Sequence, residues 1–123
     1  MRFDETDLAA IAAAEEVRIE TSALDGPVHR TIIWIVVRDG AVLVRSVRGE
    51  RGRWYCEALE NPAVAIHVGG RRIPARAVLA ADPSSIEATS AALREKYRHD
   101  PALGSMLRDE TLPTTLRLEP AKA

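Results

Sequence analysis

The chain has 123 residues, 46% of them hydrophobic and 28% charged, with 17 Lys and Arg against 18 Asp and Glu. That size and balance predict one globular domain over residues 1–123 and exclude a disordered or fibrous chain. A formal net charge of −1 and a single cysteine, Cys56, argue against a general nucleic-acid or membrane-surface binder, an internal disulfide and a cysteine-rich metal site.

In chain order, residues about 4–16 read as an amphipathic helix, with Asp4 as N-cap and Phe3 and Leu8 at hydrophobic-staple positions. The barrel strands are expected over residues about 17–119. Val17 to Ser22 alternates apolar and polar residues, as a half-buried strand does. Asp25-Gly26-Pro27 is a turn, and Val28 to Val37 is one long strand, apolar on both sides over Ile32 to Val37. Asp39-Gly40 marks a two-residue hairpin into a return strand from Ala41 to Val47. Arg53 to Leu59 is a short helix stopped by Asn61-Pro62, with Cys56 as a small apolar residue in it. A second hairpin follows: Ala63 to Val68, the turn Gly69-Gly70, then Arg71 to Ala80, with Pro74 demanding an edge or a break. Asp82-Pro83 opens a helix to about Arg98 with Ile86, Ser90, Leu93 and Tyr97 inward, and Leu112 to Leu118 alternates as a last strand. Six strands in antiparallel hairpins with few helices favour a small barrel over a parallel α/β sheet.

The stretch from Arg45 to Tyr55 holds four arginines against one glutamate, with Gly49 and Gly52 freeing its backbone. No Walker pattern and no strand-borne Gly-x-Gly-x-x-Gly occurs. A tight Asp39-Gly40 loop pairs Trp34 with Arg45, Ile33 with Ser46 and Thr31 with Arg48. Thr31, Ser46 and Arg48 then share one face, and Arg30, Trp34 and Arg45 the other. A phosphate could be held by the Ser46 hydroxyl, the Arg48 guanidinium and backbone N–H groups around Gly49, with Thr31 adding a hydroxyl. Trp54 and Tyr55 could wall a planar ligand or plug a barrel mouth. His29, His67 and His99 are dispersed with no ligand spacing, so zinc is not expected and no metal site is assigned. These residues offer binding chemistry without an acid–base pair or a nucleophile, so the hard step of any reaction belongs to a cofactor.

Arg30-Thr31-Ile32-Ile33-Trp34, Asp39-Gly40, Arg45-Ser46-Val47-Arg48-Gly49, Arg53-Trp54-Tyr55, Asn61-Pro62 and Val68-Gly69-Gly70 follow one another in that order. The series resembles the split β-barrel proteins of the pyridoxamine-phosphate-oxidase-like class, the flavin- and deazaflavin-dependent oxidoreductases. It is similar in particular to the small bacterial family known as domain of unknown function 2255. The resemblance spans about Val17 to Ala80. It implies a homodimeric, mainly β, six-stranded split barrel with FMN or a deazaflavin of the coenzyme F420 type at the subunit interface. It implies that Ser46 and Arg48 cradle the phosphate near Arg30 and Thr31, that backbone around Ile32 and Ile33 faces the ring, and that Trp54 and Tyr55 close the site. Arg45, Val47, Gly49 and Arg53 complete the expected cofactor-binding set. Arg48 stands where relatives often carry Lys, and the shorter, acidic Leu24-Asp25-Gly26-Pro27 turn favours FMN over a long-tailed deazaflavin.

The expected function is hydride transfer to a small organic acceptor, with no nucleic acid or membrane partner. The alternatives are a non-catalytic barrel that sequesters a phosphate-bearing planar ligand, and a cofactor-less interaction module. Met1-Arg2-Phe3-Asp4-Glu5 is not a secretion signal and no apolar run reaches membrane-spanning length, so the cytoplasm is the expected location.

Overall fold

The first helix starts where its cap predicts: the Asp4 carboxylate accepts the Asp7 N–H at 2.8 Å and opens α1 (Glu5–Ala13). The structure is a computed structural model and describes residues 2–121. Strands β1 (Val17–Thr21), β2 (His29–Ile33), β3 (Val36–Arg38) and β4 (Ala41–Val44) follow, then α2 (Arg53–Glu60). The second half holds β5 (Ala63–Val68), β6 (Arg71–Leu79), α3 (Pro83–Lys96), the short α4 (Leu103–Met106) and β7 (Leu116–Pro120). All seven strands form one antiparallel sheet in the order β2-β1-β5-β6-β7-β4-β3.

That order makes β2 and β3 the two opposite edges, although only Trp34 and Ile35 separate them in the chain. Seven flat strands at about 4.8 Å spacing put the outer two roughly 29 Å apart, whereas a two-residue link spans roughly 10 Å. The sheet therefore curls until its edges nearly meet, and the seam is closed by covalent chain rather than by a ladder. This is a split barrel. Ile19, Ile66, Val42, Leu116 and Leu118 fill its inside, with Trp54, Tyr55 and Ala58 of α2 packed in the same cluster. A second cluster lies outside, where Leu93 of α3 and Tyr97, its C-cap, cover Val36 and Leu43.

The structure has seven strands rather than six because the long strand expected over Val28 to Val37 is broken. Arg38 faces Ala41 across Asp39-Gly40 as expected, and pairing continues to Val36 with Leu43. There it stops. Val17 to Thr21 pair instead with Ile33 to His29, so the expected pairs of Trp34 with Arg45 and Thr31 with Arg48 do not form. The cause sits in α3. Tyr97 Oη accepts the Ile35 N–H at 3.2 Å, and Lys96 Nζ donates to the Ile35 carbonyl at 2.7 Å, so side chains satisfy the backbone groups a ladder would use. The return strand ends early too, at Val44, and Arg45 just beyond it is buried under the helical cover.

Three smaller corrections follow. Leu112 to Thr114 forms a 3₁₀ turn, and the last strand is shifted to Leu116–Pro120, where it pairs with both β6 and β4. Cys56 is exposed, not an apolar core residue; its thiol donates to the Glu50 carbonyl at 3.2 Å. Leu59 is exposed as well, so the buried face of α2 carries Trp54, Tyr55, Glu57 and Ala58. Pro74 lies on β6 just past the last pair with β7, where its carbonyl accepts the Ala121 N–H at 3.4 Å and the ladder ends, which suits its missing N–H.

Candidate functional site

The seam opens onto a cavity of about 640 Å³, within the range of small-molecule sites. Thr31, Ile32 and Ile33 of the β2 edge and Trp34 of the link form one side. Arg45 to Arg48, Gly52, Arg53 and Trp54 form the other, and Glu16, Ala102, Ser105 and Met106 complete it. The chain has two tryptophans, and both line this one cavity.

The loop from Arg45 to Arg53 is stiff because nearly every anchor in it is used. Arg45 is 1% exposed, and its guanidinium reaches out of the barrel into the helical cover. It donates to Thr115 Oγ1 (3.0 Å), Ser90 Oγ (3.0 Å), the Met106 carbonyl (3.2 Å) and the Ile86 carbonyl (3.0 Å). All four acceptors are neutral. Burial, helped by the nearby Arg94 charge, lowers the Arg45 pKa to about 10, so it stays cationic at neutral pH. The Ser46 hydroxyl donates to the Gly49 carbonyl at 2.8 Å, and the Ser46 N–H donates to Thr114 Oγ1 at 3.0 Å. Arg108 ties the Val47 carbonyl at 2.7 Å.

Two glycines are demanded by this packing. Gly49 has φ of 67°, and a Cβ there would press on the Glu110 carbonyl at 2.9 Å. A Cβ at Gly52 would collide with the Ser46 hydroxyl. Gly52 is also the N-cap of α2 and supplies no side chain, so the first-turn N–H groups of α2 have no side-chain cap beside Arg53 and Trp54. The guanidiniums of Arg48 and Arg53 are exposed at this mouth, and among the described residues neither forms an ion pair within 4 Å. Positive charge and an uncapped helix start thus converge at one end of the cavity.

The β2 side of the cavity carries the apolar Ile32 and Ile33 beside the polar groups of Glu16 and Thr31. Thr31 Oγ1 is the single buried side-chain polar atom without a hydrogen-bond partner among the described residues. Native interiors rarely leave such a group unpaired. Behind it, α2 is locked to the β1–β2 hairpin through Glu57, which accepts from Thr21 Oγ1 at 2.8 Å and pairs with His29 Nδ1 at 2.9 Å. Burial pushes the Glu57 carboxyl upward, but the hydrogen bonds from Thr21 and His29 outweigh it and hold it below its ordinary value.

Of the residues singled out in the sequence, Thr31, Ile32, Ile33, Arg45, Ser46, Val47, Arg48, Arg53 and Trp54 meet at this cavity. They meet across the seam and not along a hairpin ladder. Arg30 lies instead in an adjoining groove with Arg18, Arg71 and His67, which shares Glu16 and Ile32 with the main cavity. Tyr55 is buried in the barrel core, edge-on to Trp54 at 6.3 Å. Gly49 is buried and its N–H is spent on the Ser46 carbonyl at 3.0 Å. The Ser46 proton is likewise committed inside the loop. Sequence reasoning did not select Trp34, Glu16, Gly52 or the α4 residues Ser105 and Met106 for the site. Trp34 carried a signal, as the one aromatic in an aliphatic strand.

Residues 7–118 match a family described as an uncharacterized protein conserved in bacteria, DUF2255. The chain belongs to the DUF2255 family. Among curated proteins no sequence match is found. Solved structures resemble this DUF2255 chain in fold at low identity. One is the conserved hypothetical protein Rv2991 from Mycobacterium tuberculosis, with 15% identity, 98% of this chain and 82% of that one covered, and a TM-score of 0.73. Another is HutZ, the heme storage protein from Vibrio cholerae, with 14% identity, 100% and 93% covered, and a TM-score of 0.69. A third is an F420-H2 dependent reductase, with 18% identity, 85% and 94% covered, and a TM-score of 0.67. A further neighbour is described as a domain-swapped dimer. No helix among the described residues is long and apolar enough to cross a membrane.

Proposed function

We propose that this DUF2255 protein binds FMN in the seam cavity and catalyses hydride transfer to a small organic acceptor. The observation that carries the reading is the orphaned Thr31 hydroxyl, buried on the wall of a cavity whose opposite mouth holds unpaired guanidiniums. A ligand with a polar-edged planar ring and a phosphate supplies what both ends lack. Arg48, Arg53 and the uncapped start of α2 hold the phosphate. Ser46 shapes the loop through its bond to Gly49, and the free edge of β2 at Ile32 and Ile33 offers backbone groups to the ring. The bound flavin supplies the hydride chemistry, and the residues of this chain bind it, orient it and exclude water from one of its faces.

A deazaflavin is the second reading, favoured by the groove of Arg18, Arg30 and Arg71 that continues past Ile32 and suits a longer anionic tail. Heme storage, the role named for HutZ, is less well supported, because among the described residues no histidine or cysteine lines the seam cavity to ligate iron. A second copy of the chain completes the site: Leu24 in the β1–β2 turn, Val28 just before β2 and Ile32 on it are 62%, 61% and 55% exposed, apolar side chains that a homodimer covers.

The purified protein is titrated with FMN, a deazaflavin and hemin while visible spectra are recorded, and its mass is followed by light scattering. The expected result is saturable FMN binding by a dimer. Arg48→Ala weakens it about tenfold, the loss of one charge-assisted contact worth about 1.4 kcal/mol. Absence of flavin and deazaflavin binding at tens of micromolar overturns the reading, and tight hemin binding replaces it.

A further inference from the structure

We infer that Trp34 is the stacking platform of the seam cavity, the surface on which the planar part of the ligand rests. The inference deepens the flavin reading above and rests on it.

Trp34 lies in the two-residue link that joins opposite sheet edges, so its position is set by the closure of the barrel and not by a ladder. One face of its indole is covered: Tyr97 stacks on it with centroids 4.0 Å apart and planes 7° from parallel. Trp34 nevertheless lines the cavity, so what it presents there is not the face that Tyr97 covers. Such an arrangement binds flat aromatic rings by offset stacking, at little entropic cost when the platform is already rigid.

The rigidity is built from outside the barrel. Tyr97 is buried, and its hydroxyl donates to the Glu15 carbonyl at 2.7 Å while accepting the Ile35 N–H at 3.2 Å. Those two bonds pin the tyrosine to the segment just after α1 and to the residue after Trp34. The Lys96 ammonium, held by the Ile35 carbonyl at 2.7 Å, sits 5.5 Å from the centre of the Tyr97 ring. The lysine, the tyrosine and the strand break thus fix the indole together. Trp54, the other tryptophan of the cavity, differs. It is buried in the core cluster among α2 and barrel residues, where its role is to close the barrel.

The distinction is tested by the fluorescence of bound FMN. An indole in contact gives one electron to the photoexcited ring and takes it back from the reduced ring, which quenches the emission without net chemistry. Trp34→Phe and Trp54→Phe are compared with the unaltered protein at saturating FMN, with circular dichroism confirming the fold of each. Quenching is expected to persist in Trp54→Phe and to be largely relieved in Trp34→Phe, with affinity lowered up to about tenfold. A second measurement leaves the chain unaltered: the Trp34 indole N–H resonance shifts on FMN addition by more than that of Trp54. Unrelieved quenching in a folded Trp34→Phe protein, or a larger shift at Trp54, overturns the platform while leaving the flavin reading intact. Failure of the unaltered protein to bind either FMN or a deazaflavin overturns both.

Discussion

The two hairpins of this barrel begin alike and end differently. Each turns on a two-residue loop with positive φ at both positions, Asp39-Gly40 at 52° and 81° and Gly69-Gly70 at 55° and 77°. The second runs on through six pairs, from Val68 with Arg71 to Ala63 with Arg76. The first stops after three, from Arg38 with Ala41 to Val36 with Leu43. Where it stops, both strands pass into the care of α3 and its neighbours: Tyr97 and Lys96 take the backbone of Ile35, and Arg45 inserts among Ser90, Ile86 and Met106. The completed hairpin is wall. The unfinished one leaves Trp34, Ser46 and Arg48 free of pairing, and they line a common cavity with Thr31 of the β1-paired strand β2. A ladder uses the backbone groups that face across it, and in this barrel the cavity lies where the ladder gives way to side chains beside the free edge of β2.

Four measurements break or sharpen that contrast, the largest effect first. Arg45→Met removes the donor to four acceptors behind the unfinished hairpin and lowers unfolding free energy by about 3 kcal/mol in urea titrations. A loss under about 1 kcal/mol means that the loop holds itself and the contrast fails. Tyr97→Phe leaves the buried Ile35 N–H without its acceptor and costs about 2 kcal/mol. Amide exchange at Ile35 accelerates in this variant while exchange in β5 and β6 keeps its wild-type ranking.

Next, Ser46→Ala and Arg48→Ala separate the loop's framework from its ligand contacts. The serine variant loses the bond to the Gly49 carbonyl and about 1 kcal/mol of stability. The arginine variant, altered at an exposed guanidinium, unfolds as the parent does and differs only in ligand affinity. Equal stability losses in both refute the division of labour.

The smallest effect belongs to the completed hairpin. Glu20 of β1 accepts from His67 at 2.7 Å and from Arg72 at 2.8 Å, residues that face each other across that hairpin. Hydrogen bonds from Arg72 and then His67 lower the Glu20 pKa from 4.5 to about 2. A depressed carboxylate contributes stability above its unfolded pKa and loses it as pH falls from about 4.5 toward 2. With Arg72 half exposed, screening limits the contribution to about 1 kcal/mol. Glu20→Gln removes that part of the acid-induced loss, read from melting curves between pH 5 and pH 2. An unchanged acid limb shows that the clamp carries no charge energy.

Much of this was legible from the chain. The caps Asp4 and Asp82, the two glycine turns and the stop at Asn61-Pro62 lie in the structure where local chemistry puts them. The motifs around Arg45-Ser46-Val47-Arg48 pointed to both the family and the fold. The apolar run from Ile32 to Val37 misled for a physical reason. A strand covered on both faces and a strand broken between two separately covered pieces have the same composition, because burial does not record the hydrogen-bond partner. Arg45 and Arg48 are equally indistinct in one dimension, and only packing buries the first and exposes the second.

The sequence by itself determined the elements that depend on neighbours within a few residues: helix starts, hairpin turns, strand alternation and a glycine-freed basic loop. Only the tertiary structure decided that the barrel is split at Trp34 and Ile35, that Arg45 reaches into the helical cover, and that the Thr31 hydroxyl is left without a partner among the described residues. Those outcomes turn on Lys96 and Tyr97, 61 and 62 residues further along, competing with β4 for the backbone of Ile35. A competition across that distance leaves no periodicity in the chain to read.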